Sequence, residues 1–214
     1  MAARCKGFNS KCFLITYLII VGFIIVLWMN RLPLMQKDTR VIPESLQSYL
    51  ESPPRPLPKL VLETENKLAL TTQWFGGKWN VVYFTHSNCL PDCQPSLAEM
   101  KNLQITFANT DFQFLAIGLD AQHETAGNLS QFLISQGYDF TVAVGSEKEI
   151  DKLSKIFIAL FLQTDYTDGS YQIEQEHHLF VVDPKGRIYA TFRPPFSSVS
   201  SQFFALRRFY AKTE

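Results

Sequence analysis

The chain has 214 residues, 20 basic and 20 acidic, and a formal net charge of zero, which excludes both the basic footprint of a nucleic-acid binder and the acidic block of a disordered tail. A hydrophobic content of 46%, with 18 Phe, suffices to bury the core of one domain with accessory segments. The four cysteines include Cys5 and Cys12 at the extreme N-terminus, so the chain is not a small domain stapled by disulfides; those two read as incidental thiols in a reduced compartment.

Residues 13–29 form a run of 17 without a charge, at the short end of what spans a bilayer, with Trp28 at its boundary. A buried core helix rarely lacks polar positions throughout. No A-x-A-type cleavage site follows, and no cysteine stands where a lipoprotein anchor would need one, so the run is predicted to be a retained transmembrane signal anchor. Residues 1–12 then form a short cytoplasmic tail. Arg4, Lys6 and Lys11 before the span are matched by Arg31, Lys37 and Arg40 after it, and charge tips the orientation only slightly toward the N-terminus inside. The predicted arrangement is a single-pass protein of the bacterial inner membrane whose domain faces the periplasm, or an equivalent oxidising space where paired thiols are most used.

Residues 30–58 carry Pro33, Pro43, Pro53, Pro54, Pro56 and Pro58, with a short helical stretch at 44–51. This density of proline predicts a semi-rigid stalk. From 59 to 214, short β-rich runs alternate with helical ones. Residues 60–62 and 68–70 read as a small hairpin, 75–78 as a turn and 79–85 as the first long strand. Leu97, Met100, Leu103 and Phe107 recur at helical spacing and predict an amphipathic helix over 95–108. A buried strand over 112–119, a helix over 129–135, a strand over 140–144 and a helix from 147 to about 161 follow. Strands 179–182 and 187–192 flank the tight turn Asp183-Pro184-Lys185-Gly186, and a helix over 197–211 closes the chain. This order predicts an α/β fold: a thioredoxin-like mixed sheet with flanking helices, plus the one N-terminal transmembrane helix.

Cys89 and Cys93 stand directly after the first long strand. Pro95 costs nothing at the first position of a helix, so the helix should start near Gln94 or Pro95 and leave both cysteines in the loop at its N-terminus. There the helix dipole and free N–H groups stabilise thiolate. Cys89 is expected to be the more accessible, nucleophilic sulfur and Cys93 the resolving one. Two buried, inert cysteines are the plainer alternative. Such a pair can exchange electrons or hold a soft metal.

The stretch 77–100, with its C-x-x-x-C pair, is similar to the Sco/SenC family of membrane-anchored, thioredoxin-fold copper proteins that assist assembly of the copper centre of cytochrome c oxidase. Residues 118–125 resemble the family's S-V-D-P-x-x-D-T segment, and Tyr171-Gln172-Ile173 leading to 182–186 resembles its final-strand block. The resemblance covers about 60–212 together with the anchor. It implies copper, Cu(I) or Cu(II), bound by both cysteines and by a histidine four residues after the tyrosine that corresponds to Tyr171. Here that position holds Gln175. Asn88 and Leu90 likewise replace the histidine and proline that usually flank the family's first cysteine.

On an extended segment Gln175 and His177 share a face while His178 points oppositely, so His177 is the candidate replacement ligand. Two thiolates and one imidazole suit Cu(I). A closed zinc site using both histidines is less attractive, because adjacent strand residues point apart. His177 and His178 could instead be solvated residues of a polar loop. His86 is a candidate base or minor ligand or a satisfied turn histidine, and His123 reads as a surface residue.

Three functions remain open from sequence. One is copper delivery and/or thiol reduction during respiratory oxidase assembly through Cys89, Cys93 and His177, with an oxidase copper-site subunit or another thiol protein as partner. A second is a metal-independent, membrane-tethered thiol:disulfide oxidoreductase. The third is an interaction module whose dithiol responds to redox state. A peroxidase is disfavoured for want of the motif around its cysteine.

Overall fold

The computed structural model describes residues 10–31, 40–108 and 111–213. Arg4, Cys5 and Lys6 of the expected tail, and residues 32–39 of the expected stalk, lie outside them, as do the side chains of Lys11 and Cys12. The chain divides into two compact units at residue 40.

The first unit contains α1 (Ser10–Arg31), a helix of 22 residues. Its side chains are described over 14–27, where Leu14, Ile19, Phe23 and their neighbours are exposed. Among the described residues no helix is long and apolar enough to cross a membrane.

The second unit opens with α2 (Glu44–Gln47) and β1 (Leu50–Pro56), which pairs antiparallel with the strand over 187–192. Much of the predicted stalk is therefore part of the domain. Prolines 53, 54 and 56 are compatible with a strand because β1 is at the edge of the sheet, where missing N–H donors break no inner ladder. Next come β2 (Val61–Thr64), β3 (Ala69–Thr71) and a 3-10 turn at Thr72–Phe75, then β4 (Trp79–Thr85). The predicted hairpin is the antiparallel β2–β3 pair.

After β4 come α3 (Gln94–Thr106), β5 (Phe112–Gly118), α4 (Ala126–Ser135), β6 (Thr141–Val144) and α5 (Glu147–Phe157). Helix α5 stops four residues short of its predicted end. Ile158 takes a left-handed conformation, φ 57°, and the chain turns out into β7 (Phe161–Asp165). β7 pairs with β8 (Tyr171–Gln175) as a separate two-stranded hairpin that the apolar pattern does not announce. The chain ends with β9 (Leu179–Val182), β10 (Arg187–Phe192) and α6 (Val199–Thr213).

The eight-stranded sheet has the order β1-β10-β9-β4-β5-β6-β2-β3, with β4, β5 and β6 parallel and the other pairings antiparallel. It is the predicted mixed α/β sheet with helices on both faces. Every residue of β4 is buried. Side chains alternate across a strand, so Trp79, Val81 and Tyr83 join the core beneath α3, α4 and α6. Val82 and Phe84 join the opposite core with α5 and Ile173 of β8. A strand held from both sides has no freedom to slip, and its C-terminal end is thereby placed.

The turn between β9 and β10 is built on Asp183, which is fully buried. Its Oδ1 accepts from the Lys185 and Arg187 backbone N–H groups at 3.0 and 2.8 Å, and its Oδ2 from Arg187 Nε and Nη2 at 2.8 and 2.6 Å. Removing one partner of such a pair strands the other in low dielectric. Asp183→Ala should therefore lower unfolding stability by about 2–3 kcal/mol, less than for a wholly buried pair because Arg187 is part exposed. Urea denaturation measures this, and a loss under about 0.5 kcal/mol would contradict it.

Candidate functional site: a disulfide at the start of a helix

β4 ends at Thr85, and α3 begins at Gln94 with Pro95 in its first turn, as its sequence predicts. Between them the chain makes a turn in which Cys89 N–H donates to His86 O at 3.3 Å and Cys93 N–H to Cys89 O at 3.2 Å. Cys93 is the N-cap residue of α3, its carbonyl accepting from Leu97 N–H at 3.0 Å. Cys89 and Cys93 form a disulfide, with Cα atoms 5.5 Å apart. Thr85 Oγ1 lies 3.3 Å from Cys89 Sγ.

Cys89 is 5% exposed and lines a cavity of about 430 Å³, whereas Cys93 is 0% exposed. The cavity walls also include His86, Asp92, Tyr171, Gln175 and His177. Of the four histidines read from sequence, His86 and His177 thus share a cavity with the disulfide. Its far wall is β8, so the unannounced hairpin completes the site.

The loop between β8 and β9 brings His177 to the start of α3, where Ser96 Oγ donates to His177 O at 2.7 Å. The His177 ring is held from the strand side, its Nδ1 lying 2.7 Å from Tyr83 Oη. Burial drives the Tyr83 phenol pKa up, so this hydroxyl stays protonated at neutral pH. Burial lowers the His177 pKa, with Asp92 opposing, and favours the neutral imidazole that a metal ligand requires. Tyr83 and Ser96 are not evident as site residues in sequence, one being an apolar-run residue of β4 and the other a residue of the first turn of α3.

Gln175 and His177 do share a side: Gln175 Nε2 is 3.4 Å from His177 Nδ1. Yet the amide is committed elsewhere, donating to Phe84 O at 2.6 Å. A carbonyl only accepts, so the nitrogen must face Phe84, and Gln175 braces β8 against the end of β4. His178 turns away, with its ring 6.1 Å from that of Phe180 and its Nδ1 3.5 Å from Glu176 Oε2.

Behind the dithiol turn lies a second polar cluster. Asp120, 4% exposed, accepts from the Tyr171 hydroxyl, and its Oδ1 is 2.7 Å from His123 Nδ1. The hydrogen bond from the Tyr171 hydroxyl to Asp120 pushes the Tyr171 pKa up to about 12. His123 is exposed, as its sequence position predicts, and its ring stacks on Tyr171 at 4.2 Å. Glu124 Oε1 accepts from Ser87 N–H at 2.9 Å and ties the loop after β5 to the dithiol turn. Its other oxygen is buried without a partner, and burial raises its pKa.

Residues 59–203 match the family described as SCO1/SenC. The chain belongs to that family. A Stutzerimonas stutzeri protein described as copper-binding is 25% identical over 167 residues, which cover 77% of this chain and 82% of that one. Among solved structures, a SCO1/SenC family lipoprotein from Bacillus anthracis superimposes with a TM-score of 0.61 at 21% identity, covering 73% of this chain and 97% of its own. The copper-bound ScoI of Bradyrhizobium japonicum gives 0.59 at 20% identity, covering 72% and 99%. At these identities the superpositions speak for the fold.

The SCO1/SenC chain thus carries the disulfide and His177 on one cavity. Among the described residues no three His, Cys, Asp or Glu side chains are grouped to hold a metal ion. Opening the disulfide is what would free two further donors beside His177.

His86 gives the site a pH dependence. Burial holds its pKa below the ordinary 6.5, with Asp120 opposing. The unfolded chain therefore takes up this proton first as pH falls. Stability is flat above 6.5 and declines as pH drops from there through the folded pKa. The urea midpoint of the disulfide form should fall between about pH 7.5 and pH 5.5, and fall less in His86→Gln. An equal fall in the variant would show that His86 is not a source.

Proposed function

We propose that this SCO1/SenC chain is a membrane-anchored protein that delivers copper and/or reduces thiols during assembly of a respiratory oxidase, through Cys89 and Cys93. The observation that carries this reading is the Cys89–Cys93 disulfide at the start of α3, with His177 on the same cavity. Copper is cargo here. Once reduced, the two thiolates and the neutral imidazole of His177 offer the soft donor set that Cu(I) prefers. In the tautomer whose Nδ1–H donates to Tyr83 Oη, the lone pair of Nε2 is available to a metal, and Tyr83 orients the ring as an outer partner does. The kinship with a copper-binding relative supports the same reading.

The second reading, a metal-independent thiol:disulfide oxidoreductase, is favoured by one observation: at the position of the family's histidine, the Gln175 amide is engaged by Phe84 O. In that reaction the Cys89 thiolate attacks a partner disulfide, forming a mixed disulfide and expelling one partner thiolate. The Cys93 thiolate then attacks Cys89 Sγ, expelling the second. The partner gains two electrons, the Cys89–Cys93 disulfide re-forms, and a dithiol reductant of lower potential resets it.

Anchoring rests on the sequence, on the uncharged run over 13–29, and not on the dimensions of α1, since among the described residues no helix is long and apolar enough to cross a membrane. The reading places α1 in a bacterial inner membrane with the domain in the periplasm. The full chain should resist alkaline extraction from membranes, and a chain lacking residues 1–29 should not. Release of the full chain would remove the anchor.

For the metal, Cu(I) titration of the reduced chain against a competing chelator should give one equivalent bound. His177→Ala should weaken it about 10–100-fold and Gln175→Ala far less. Binding that His177→Ala leaves unchanged would discard His177 as ligand. No binding at all, with turnover of a small disulfide, would favour the oxidoreductase.

A further inference from the structure

The dithiol cavity has a charge pattern that bears on what can approach it. Asp92, between the two cysteines, and Glu174, on β8, both line it, and both are exposed. Among the described residues no lysine or arginine lines it. Leu90, next to Cys89, lies 39% exposed in the same wall.

The hairpin extends this surface. Glu174 pairs with Leu162 in the β7–β8 register, and paired residues share a face. Leu162 is 61% exposed, and Leu160, two residues before it, is also open. Leu162 and Glu174 therefore lie side by side on the exposed face of the hairpin, opposite to that of Ile173 and Gln175. Acidic side chains close to a redox sulfur repel anionic partners and attract cationic ones, and in a cleft such fields act on the rate of encounter.

We infer that the protein partner of the dithiol presents its cysteine on a cationic surface, with lysine or arginine beside the sulfur to meet Asp92 and Glu174. The inference deepens the proposed thiol chemistry and rests on it. The occupant is a protein segment, because the proposed exchange needs a partner sulfur and Leu90, open beside Cys89 in the same cavity, offers apolar contact that a lone ion would not use.

The test uses the full chain, reduced, in detergent. Two short peptides carry one cysteine as a mixed disulfide with thionitrobenzoate, flanked in one by lysines and in the other by glutamates. The Cys89 thiolate attacks the peptide sulfur and thionitrobenzoate leaves with the electron pair, which absorbance reads. Cys93 then closes onto Cys89 and frees the peptide thiol, so the peptide disulfide is reduced and the protein dithiol oxidised. Each rate is divided by that with dithiothreitol, which removes the peptides' own reactivity.

At low salt the lysine peptide should react about tenfold faster, and the ratio should approach one in about 0.5 M salt. In the double variant Asp92→Asn, Glu174→Gln the low-salt ratio should likewise fall toward one. A ratio near one in the unmodified chain, or a tenfold ratio kept by the double variant, overturns the inference while leaving the dithiol chemistry intact. No exchange with either peptide removes the thiol reading itself and the inference with it. A fall in Cu(I) uptake by the double variant, with the peptide ratio unmoved, would assign the carboxylates to cargo and also overturn it.

Discussion

The burial of β4 on both faces is the constraint on which the rest depends. Trp79, Val81 and Tyr83 pack into one core and Val82 and Phe84 into the other, so the strand cannot shift by one residue without exchanging its two faces. Its end is therefore a fixed point. The dithiol turn leaves from that point, α3 starts from the turn, and Cys89 and Cys93 inherit a defined position, held further by the turn hydrogen bonds, their disulfide, the Thr85 hydroxyl beside Cys89 Sγ and packing in the core. The same strand supplies Tyr83, whose hydroxyl reaches His177 on a loop remote in sequence. One strand thus holds the sulfurs by its chain direction and the imidazole by a side chain.

Around that point the protein uses buried polar groups as braces. Gln175 ties β8 to Phe84, Ser96 ties the His177 loop to α3, and Glu124 ties the segment after β5 to Ser87. Each replaces water by a partner at short range, which is what makes a buried polar group tolerable. Among these braces the second oxygen of Glu124 and the amide oxygen of Gln175 are buried without a partner, and the raised Glu124 pKa follows from its burial. The site is consequently rigid toward the sheet, where these braces lie. Toward solvent it is open, at Asp92, Glu174 and the outer face of the hairpin.

Several features were legible because local rules govern them. The limits of β4, the start of α3 beside Pro95 and the Asp183 turn all follow from apolar runs and from proline and turn chemistry. The hairpin β7–β8 was not, because the exposed Leu162, Thr164, Gln172 and Glu174 alternate with neighbours of which only Ile173 is buried, and leave no clean apolar face. The Asp168-Gly169 pair at its tip, with Gly169 at φ 84°, is the signal by which it can be found. The end of α5 was not legible either, since Ile158 adopts a left-handed conformation that β-branched residues rarely take. Strand β1 was hidden by its prolines, which rule out an inner strand and say nothing against an edge one.

For this protein the sequence by itself determined the fold class, the family and the pairing of two cysteines at a helix start, because each is written in residues close together along the chain. Only the tertiary structure decided what faces that pair. His177 stands 84 residues beyond Cys93, and which of Gln175, His177 and His178 reaches the cavity depends on how β8 and its loop dock against β4. The alternation of side chains along the segment narrowed the choice to one face. The Tyr83 hydroxyl and the Phe84 carbonyl, brought into reach only in the folded state, then divided that face between an imidazole on the dithiol cavity and an amide turned to the backbone.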